Sequence, residues 1–321
     1  MSSHVSDPTT TSSEHGPKLG QGRAVTVPGA EYFDFTSRIT GREHRLFISV
    51  PAGDPPPEGF PAFYIFDGNG CFATVAEIMR SRAPADGLRP AVVVAIGYAT
   101  DDLMTAMALR MKDLSTPATP EWLAALPFAI PGLTADLTGG LDDFIRVVEE
   151  EIRPAIARLA PTNPSDQTVM GHSLGGLAVL RILFTRPAMF RTFVASSPSI
   201  WWSDQAILAG EQAFREKVEA GEVSPRLLID VGGREQTPDS GALRHFKTMA
   251  EAQASADFCG MVENARALGQ RLGSLKSGHG YVAETVIFTD EGHVSVLPAA
   301  ISRGLQFALG VDVASGSTEA G

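Results

Sequence analysis

Hydrophobic positions in this chain form short continuous runs, separated by segments in which apolar residues recur at helical spacing. The runs have the length of β-strands. Continuous runs of this kind are typical of parallel strands that are covered on both faces of a sheet. The strands predicted in this way are 61–66, 91–97, 167–170, 192–195, 227–231 and 285–288, together with a hairpin formed by 31–36 and 44–51.

Helices are predicted between these strands. In residues 141–159, Leu141, Phe144 and Ile152 repeat at helical spacing around three consecutive glutamates, and Pro154 is expected to kink the helix. The other predicted helices are 72–82, one that follows Ser173, 248–272 and 297–309, and a long loop is expected up to residue 138. This alternation shows no internal repeat and no linker. It predicts a single three-layer α/β domain with a mostly parallel central sheet.

Both ends of the chain differ in composition from the alternating part. Residues 1–28 and 312–321 contain many Ser, Thr and Gly residues. We therefore expect disordered tails on either side of an ordered domain of residues 29–311. The beginning of the sequence has no apolar leader, and no apolar run approaches the roughly 18 residues that a membrane span needs. A cytoplasmic protein is expected.

Charge and cysteine content argue against several classes of function. The chain has 26 basic and 37 acidic residues, for a net charge of −11. Such an overall field repels nucleic acids and anionic membranes, so neither is an expected partner. Cys71 and Cys259 form no CxxC pattern, and no cluster of His and Asp residues resembles a metal hydrolase site. No metal or other cofactor is expected.

The sequence Gly171-His172-Ser173-Leu174-Gly175 matches the GxSxG pattern. Such a short match is weak evidence by itself. Here, however, an apolar strand precedes it and an apolar helix follows, which is the context of a nucleophile elbow. Glycine is expected at 171 and 175 because a side chain would clash in so sharp a turn. Ser173 is the predicted nucleophile, and the Leu174 N–H is a predicted oxyanion donor.

A serine hydroxyl near neutral pH needs an adjacent base. In this fold the acid and then the histidine follow the serine along the chain. His245, His279 and His293 all follow Ser173, but only His293 lies directly after the last predicted strand and before the closing helix. His279 precedes that strand, which would place it at the opposite end of the sheet. His293 is the predicted base.

The acid that orients the base should follow the strand at 227–231. Three carboxylates are candidates: Asp230, Glu235 and Asp239. We favour Glu235, which falls within a turn of the strand end. Asp230 lies inside the strand, where a structural role is the alternative, and Asp239 lies further out. A Ser–His dyad with a weak orienting partner also stays open.

A second oxyanion donor should come from the loop after an early strand. Asp67-Gly68-Asn69-Gly70 follows the strand at 61–66, and the Asn69 backbone N–H is the predicted donor. The same four residues also form a favoured turn sequence. The pair Trp201-Trp202 follows another strand end, so we expect these rings to line the cleft, where they could stack on an aryl group.

With these residues assigned, the chain resembles the putative-esterase family of α/β-hydrolases. It is most similar to the branch of siderophore esterases that act on enterobactin- and bacillibactin-type trilactones. The resemblance extends over about residues 30–310. The stretches that carry it are YIFDGNGCF, VVVAIGY, RMKDLSTP, LDDFIRVVEEEIRPAI, GHSLGGLAVLRILFTRPAMFRTFVASSPSIWW, DVGGREQ and EGHVSVLPAAISRGLQFAL.

The resemblance implies the α/β-hydrolase fold and hydrolysis of a small-molecule carboxylic ester through an acyl-enzyme, without a metal. It also implies that Arg110 helps to hold the acidic or catecholate part of the substrate. Other enzymes with the same catalytic residues remain alternatives: a thioesterase or S-formylglutathione hydrolase-like enzyme, an aryl or feruloyl esterase, or an acyltransferase. A non-catalytic binding protein on a hydrolase scaffold is the alternative from another class.

Overall fold

A computed structural model of the protein describes residues 25–276 and 280–311. Its centre is an eight-stranded sheet in the order β1-β2-β4-β3-β5-β6-β7-β8. Strand β2 is antiparallel to both of its neighbours, and all pairs from β4 to β8 are parallel. The strands are β1 Ala30–Thr36, β2 Glu43–Ser49, β3 Phe60–Phe66, β4 Val92–Gly97, β5 Thr162–His172, β6 Thr192–Ser196, β7 Arg226–Gly232 and β8 Val282–Phe288.

Helices cover both faces of this sheet, which gives the three layers predicted from the alternation. The helices are α1 Gly68–Asp86, α2 Leu103–Leu114, α3 Pro120–Ala124, α4 Leu141–Arg146, α5 Arg153–Leu159, α6 Leu174–Thr185, α7 Glu211–Glu219, α8 Met249–Cys259, α9 Met261–Gly273 and α10 Leu297–Leu309. A π-helix, Val147–Ile152, joins α4 to α5. Short 3-10 turns occur at Ala135–Leu137, Ala206–Gly210 and Ser240–Arg244, and an irregular helical turn occurs at Trp202–Gln205. No helix in the described ranges is long and apolar enough to cross a membrane.

Strand β3 shows how a continuous apolar run serves two cores. All seven of its residues are buried. Tyr64 and Phe66 point into the core formed with α4 to α7 and α9, whereas Phe63 and Ile65 point into the core formed with α1 and α10. Successive side chains of a strand point to opposite faces, so a strand between two helical layers is apolar at every position.

Three predicted elements differ from the structure. The expected loop before residue 138 contains α2 and α3. Its apolar residues Leu103, Met104 and Met107 are exposed, which obscures the helical pattern. The predicted helix 248–272 is two helices, because Gly260 adopts a positive φ of 51° between them. Pro154 was expected to kink a single helix. It lies instead in the first turn of α5, directly after the π-helix, whose turn is wider than that of an α-helix. Most of the predicted tail residues lie outside the described ranges.

The parallel strands bring the candidate residues to one edge of the sheet. Asn69, Ser173, Glu235 and His293 follow directly after the ends of β3, β5, β7 and β8 respectively. Ligands in open α/β sheets bind at the carboxyl ends of the strands because the connecting loops converge there. The fold therefore collects residues from distant parts of the sequence at a single edge.

Burial of a histidine makes the stability of this fold depend on pH. The His44 ring in β2 is buried against Phe35, Tyr98 and Phe144, and neither of its nitrogens has a hydrogen-bond partner among the described residues. Burial, together with the charge of Arg42, lowers the pKa of His44 to about 4. The folded protein therefore favours the neutral form of the His44 ring.

We predict that His44→Phe removes part of the acid sensitivity of folding. The unfolded chain binds a proton at this histidine below its usual pKa of about 6.5, whereas the folded chain does so only below about 4. The stability contributed by neutral His44 is thus complete above about pH 6.5 and is lost as the pH falls towards 4, by at most about 3 kcal/mol. Urea unfolding at about pH 7.5 and about pH 5 would measure it. Exposed His245→Phe is the control, and equal acid dependence in wild type and His44→Phe would refute the prediction.

Candidate active site

Ser173 occupies a sharp turn between β5 and α6. Its φ of 61° and ψ of −118° are unfavourable for a residue with a side chain. The end of β6 holds this turn in place: the Ser173 N–H donates to the Ser196 carbonyl at 3.0 Å, and the Ser199 N–H donates to the Ser173 carbonyl at 3.1 Å. This strand–turn–helix geometry is that of a nucleophile elbow.

Close backbone packing explains the glycines around the serine. A Cβ at Gly171 would lie 2.2 Å from the Gly175 carbonyl oxygen, and one at Gly176 would lie 2.8 Å from the Ser196 carbonyl oxygen. At Gly175 the nearest atom to an added Cβ is a carboxylate oxygen of Asp67, at 3.3 Å. The requirement for glycine is thus strictest at position 171. The requirement at 176 was not anticipated, because it arises from α6 packing on β6.

His293 lies between the nucleophile and a carboxylate. Its Nε2 is 3.0 Å from Ser173 Oγ, and its Nδ1 is 2.7 Å from Glu235 Oε2. The His293 side chain is 41% exposed, so the site opens directly to solvent. His245 is exposed at the end of a 3-10 turn. His279 lies outside the described residues.

Glu235 is buried and fixed on both carboxylate oxygens. Its side chain is only 1% exposed. Oε1 accepts hydrogen bonds from the Gly232 N–H at 2.7 Å and from the Ser197 hydroxyl, which leaves Oε2 for His293. These contacts orient the carboxylate towards the imidazole.

The other two candidate acids have different partners. Asp230 lies inside β7, fully buried, and accepts a hydrogen bond from Ser196 Oγ at 2.7 Å. Burial raises the pKa of Asp230 to about 7, although the Ser196 hydrogen bond acts in the opposite direction. Asp239 accepts from the Gly241 N–H at 2.8 Å and caps a 3-10 turn. Of the three candidates, the structure brings Glu235 to His293.

Both predicted oxyanion donors lie in the first turn of a helix, where N–H groups have no partner within the helix. Leu174 begins α6, and Asn69 is the second residue of α1. The Asn69 side chain anchors its turn to the segment after β4. Its Nδ2 donates to the carbonyls of Tyr98 and Thr100 at 3.0 and 2.8 Å, and its Oδ1 accepts from the Tyr98 N–H at 2.8 Å.

Arg110 is mostly buried and is paired with a carboxylate beside the nucleophile elbow. The residue is only 6% exposed. Its Nε and Nη2 donate to the two carboxylate oxygens of Asp67 at 2.6 and 2.8 Å, and Nη2 also contacts the His172 carbonyl at 3.3 Å. Nε and Nη2 are thus engaged inside the protein, and binding of the substrate by Arg110 stays a prediction. Exposure could not be read from the sequence, since α2 was expected to be a loop.

The tryptophan pair divides between the core and the surface. Trp202 is 1% exposed and its Nε1 donates to the Thr116 carbonyl, so it is a core residue and not a wall of the cleft. Trp201 is half-buried. It stacks on Trp122 with 5.9 Å between ring centroids. With Phe128 and Phe258 edge-on to Trp201, these rings form an aromatic cluster, which we define as Trp122, Phe128, Trp201 and Phe258.

One member of the aromatic cluster, Trp201, follows closely in sequence on a residue that contacts the nucleophile. Trp201 is two residues from Ser199, whose Oγ is 3.3 Å from Ser173 Oγ. Trp122 and Phe258 come from distant segments, and sequence reasoning missed both. In the sequence, the only indication of such a role was that Trp122 is an aromatic residue in a predicted loop and Phe258 one in a predicted helix.

The ring of His172 packs against the ring of His293. The His172 and His293 rings are 4.6 Å apart between centroids. Burial, followed by the charges of His293 and Arg110, holds the pKa of His172 well below its usual range. His172 is therefore a neutral neighbour of His293, a role that the GxSxG pattern did not indicate.

Known proteins are similar to this chain in sequence and in fold. The family described as "Putative esterase" matches residues 132–283. The ferri-bacillibactin esterase BesA of Bacillus subtilis is 36% identical over 91% of this chain and 94% of its own length. The siderophore triacetylfusarinine C esterase of Aspergillus fumigatus is 34% identical over 88% of this chain and 93% of its own.

The chain belongs to the putative-esterase family of α/β-hydrolases. It is a carboxylic-ester hydrolase. Among solved structures, the BES protein of Bacillus cereus has a TM-score of 0.75 at 28% identity and covers 91% of this chain and 100% of its own. The siderophore hydrolase EstA of Aspergillus nidulans has a TM-score of 0.75 at 26% identity, over 91% and 98% of the two chains. The expected fold and family are confirmed.

We predict that Gly171→Ala destabilises this esterase by at least about 2 kcal/mol, because the new methyl group must displace the backbone of the elbow. Urea denaturation measures the loss. Gly273→Ala is the control, since an added Cβ there would meet only the Ala283 carbonyl oxygen at 3.7 Å. Alanine is also favoured over glycine within a helix. Equal stability of the two variants would show that the elbow tolerates a side chain at 171.

Proposed function

We propose that this esterase hydrolyses siderophore-type esters through an acyl-enzyme, with Ser173 as nucleophile, His293 as general base and Glu235 as the acid that orients the base. The observation that carries this proposal is the unbroken hydrogen-bonded series from Ser173 Oγ through both nitrogens of His293 to Glu235, at 3.0 and 2.7 Å. Such a series activates a serine hydroxyl that is otherwise a weak nucleophile.

In the acylation step, Ser173 Oγ forms a bond to the ester carbonyl carbon while its proton moves to His293 Nε2. The carbonyl oxygen becomes an oxyanion and accepts hydrogen bonds from the N–H groups of Leu174 and Asn69, each typically worth about 3 kcal/mol in the transition state. The C–O bond to the leaving alcohol then breaks, and His293 returns the proton to that oxygen. A water molecule repeats the sequence on the acyl-enzyme and releases the acid.

Glu235 has a positioning and electrostatic role in this mechanism. Its buried carboxylate, held by Gly232 and Ser197, accepts a hydrogen bond from His293 Nδ1 and so keeps Nε2 free to take the serine proton. It also stabilises the imidazolium that forms. Ser199 Oγ, at 3.3 Å, is a second hydrogen-bond partner for the Ser173 hydroxyl.

The substrate class is supported by the relatives and by the openness of the site. The related proteins are named as esterases of ferri-bacillibactin, triacetylfusarinine C and enterobactin, and this chain covers at least 93% of each. The exposed His293 can meet an ester within a bulky molecule. The aromatic cluster, which includes Trp201, would offer apolar contact surface for such a molecule. The same catalytic residues could serve a thioester or an acyl transfer, so the substrate needs a direct test.

We predict that Ser173→Ala and His293→Ala each lower kcat by at least about 10⁴-fold while the fold persists. The assay would use a catecholate trilactone with and without iron, a hydroxamate siderophore ester, a p-nitrophenyl ester and an acyl thioester. Hydrolysis of a siderophore ester that is lost in both variants supports the proposal. Hydrolysis of only the simple ester or the thioester would overturn the substrate class, and wild-type turnover by Ser173→Ala would overturn the mechanism.

We predict that Glu235→Gln lowers kcat by about 10² to 10⁴-fold, because the amide no longer stabilises the imidazolium. Asp230→Asn is the matched control. It removes a carboxylate from the same region but retains an oxygen that can accept from Ser196. Steady-state kinetics on the best substrate of the panel would compare them. A larger loss in Asp230→Asn than in Glu235→Gln would exchange the two assignments.

A further inference from the structure

Three consecutive residues, none of them glycine, form a left-handed turn directly after Trp202. Ser203, Asp204 and Gln205 have φ angles of 49°, 53° and 60°. This conformation is unfavourable for residues with a side chain, which adopt it singly and seldom in runs. Such strain persists only where the surroundings hold it. The contacts of the three side chains therefore indicate what the turn positions.

Two side chains of the turn hold the segment between α2 and α4. Ser203 Oγ donates to the Pro117 carbonyl at 2.7 Å. Asp204 Oδ1 accepts a hydrogen bond from the indole N–H of Trp122 at 3.0 Å. The third side chain, that of Gln205, donates to a side chain of α9 at 3.3 Å. Of the three contacts, only that of Asp204 fixes an aromatic ring.

The Asp204 contact selects the way in which Trp122 lies on its neighbours. Trp122 belongs to α3, a helix of only five residues, and helices so short depend on tertiary contacts. Its ring is 5.9 Å from that of Trp201 between centroids, with 19° between the planes, and it lies edge-on to Trp202 at 5.1 Å. Stacking alone tolerates rotation of one ring over the other. A hydrogen bond at the indole nitrogen removes that freedom.

The chain keeps Trp201 close to a residue that contacts the nucleophile. Ser199 Oγ is 3.3 Å from Ser173 Oγ. Because two residues of extended chain span at most about 7 Å, the Trp201 backbone lies no further than that from the backbone of Ser199. Both Trp201 and Trp122 are partly exposed. An aryl group carried by a bulky ester at Ser173 can span such a distance.

We infer that Asp204 is a positioning residue that determines specificity: it holds Trp122 flat against Trp201, and the stacked pair binds an aryl group of the ester substrate. Aromatic rings present broad apolar faces and polar edges to another ring. The inference rests on the proposed function and names the feature of the substrate that the site selects. Asp204 acts through the two rings and does not itself contact the substrate.

The test compares two esters that differ in a single group, N-benzoyl-L-serine methyl ester and N-acetyl-L-serine methyl ester. The measured quantity is kcat/KM for the benzoyl ester divided by kcat/KM for the acetyl ester. We expect the wild type to prefer the benzoyl ester. We expect Asp204→Gly to lower the ratio by about 3 to 10-fold, mainly through a higher KM for the benzoyl ester. Glycine adopts the left-handed conformation freely, so this loss would not come from added strain.

Two further variants and a matched control separate the hydrogen bond from the turn. Asp204→Asn retains an acceptor oxygen and tolerates the left-handed backbone, so its ratio should stay within about twofold of the wild type. Trp122→Phe loses the N–H, so it should lower the ratio, with no further loss when it is combined with Asp204→Gly. Gln205→Gly is the control. It relieves the same strain but removes only the contact with α9, and its ratio should be unchanged.

Circular dichroism measures the geometry of the rings independently of activity. Two stacked indoles give a pair of bands of opposite sign, because their electronic transitions couple. We expect Asp204→Gly to weaken this pair of bands and Asp204→Asn to retain it.

Four outcomes would overturn the inference. They are a wild type without preference for the benzoyl ester, an equal loss on both esters in Asp204→Gly, a loss confined to kcat, and a ratio that falls as far in Gln205→Gly as in Asp204→Gly. Failure of the proposed function would look different. Turnover of both esters by Ser173→Ala at the wild-type rate would overturn the serine mechanism, whatever the ratio between the esters.

Discussion

The strained turn at Ser173 is the feature on which the rest of the site depends. A residue with a side chain is held at φ 61° by hydrogen bonds from the end of β6 and by glycines that let α6 pack closely on β5 and β6. Strain of this kind persists only where the surroundings determine the conformation. In return, the turn exposes the serine hydroxyl and directs the first N–H of α6 towards the same space.

The end of β6 connects the nucleophile to the acid. Ser196 contributes its carbonyl to the Ser173 turn and its hydroxyl to Asp230. Ser197 donates to Glu235, and Ser199 lies against the Ser173 hydroxyl. Through these three serines, hydrogen bonds join the nucleophile turn to β7 and to the loop that carries the acid. The sequence SSPS gives no sign of this by itself, because serines are common in loops.

Charged side chains next to the nucleophile elbow pair with one another inside the protein. The chain carries a net charge of −11, and the arginine closest to the elbow is paired with Asp67. Trp201, two residues from Ser199, belongs instead to an aromatic cluster formed by rings from three separate segments. Aromatic rings of this kind favour apolar contact with a ligand over attraction between opposite charges.

The sequence alone determined the fold class, the family, and the positions of Ser173, Glu235 and His293 at strand ends, because strand periodicity, the GxSxG turn and chain order are local signals. The tertiary structure decided which of three carboxylates reaches His293, and it buried Arg110 and Trp202. It also added α2, whose exposed apolar residues concealed its helical pattern, and assembled Trp122 and Phe258 around Trp201. Those outcomes depend on contacts between residues far apart in the chain, and burial is set by what packs against a side chain and not by its neighbours in sequence.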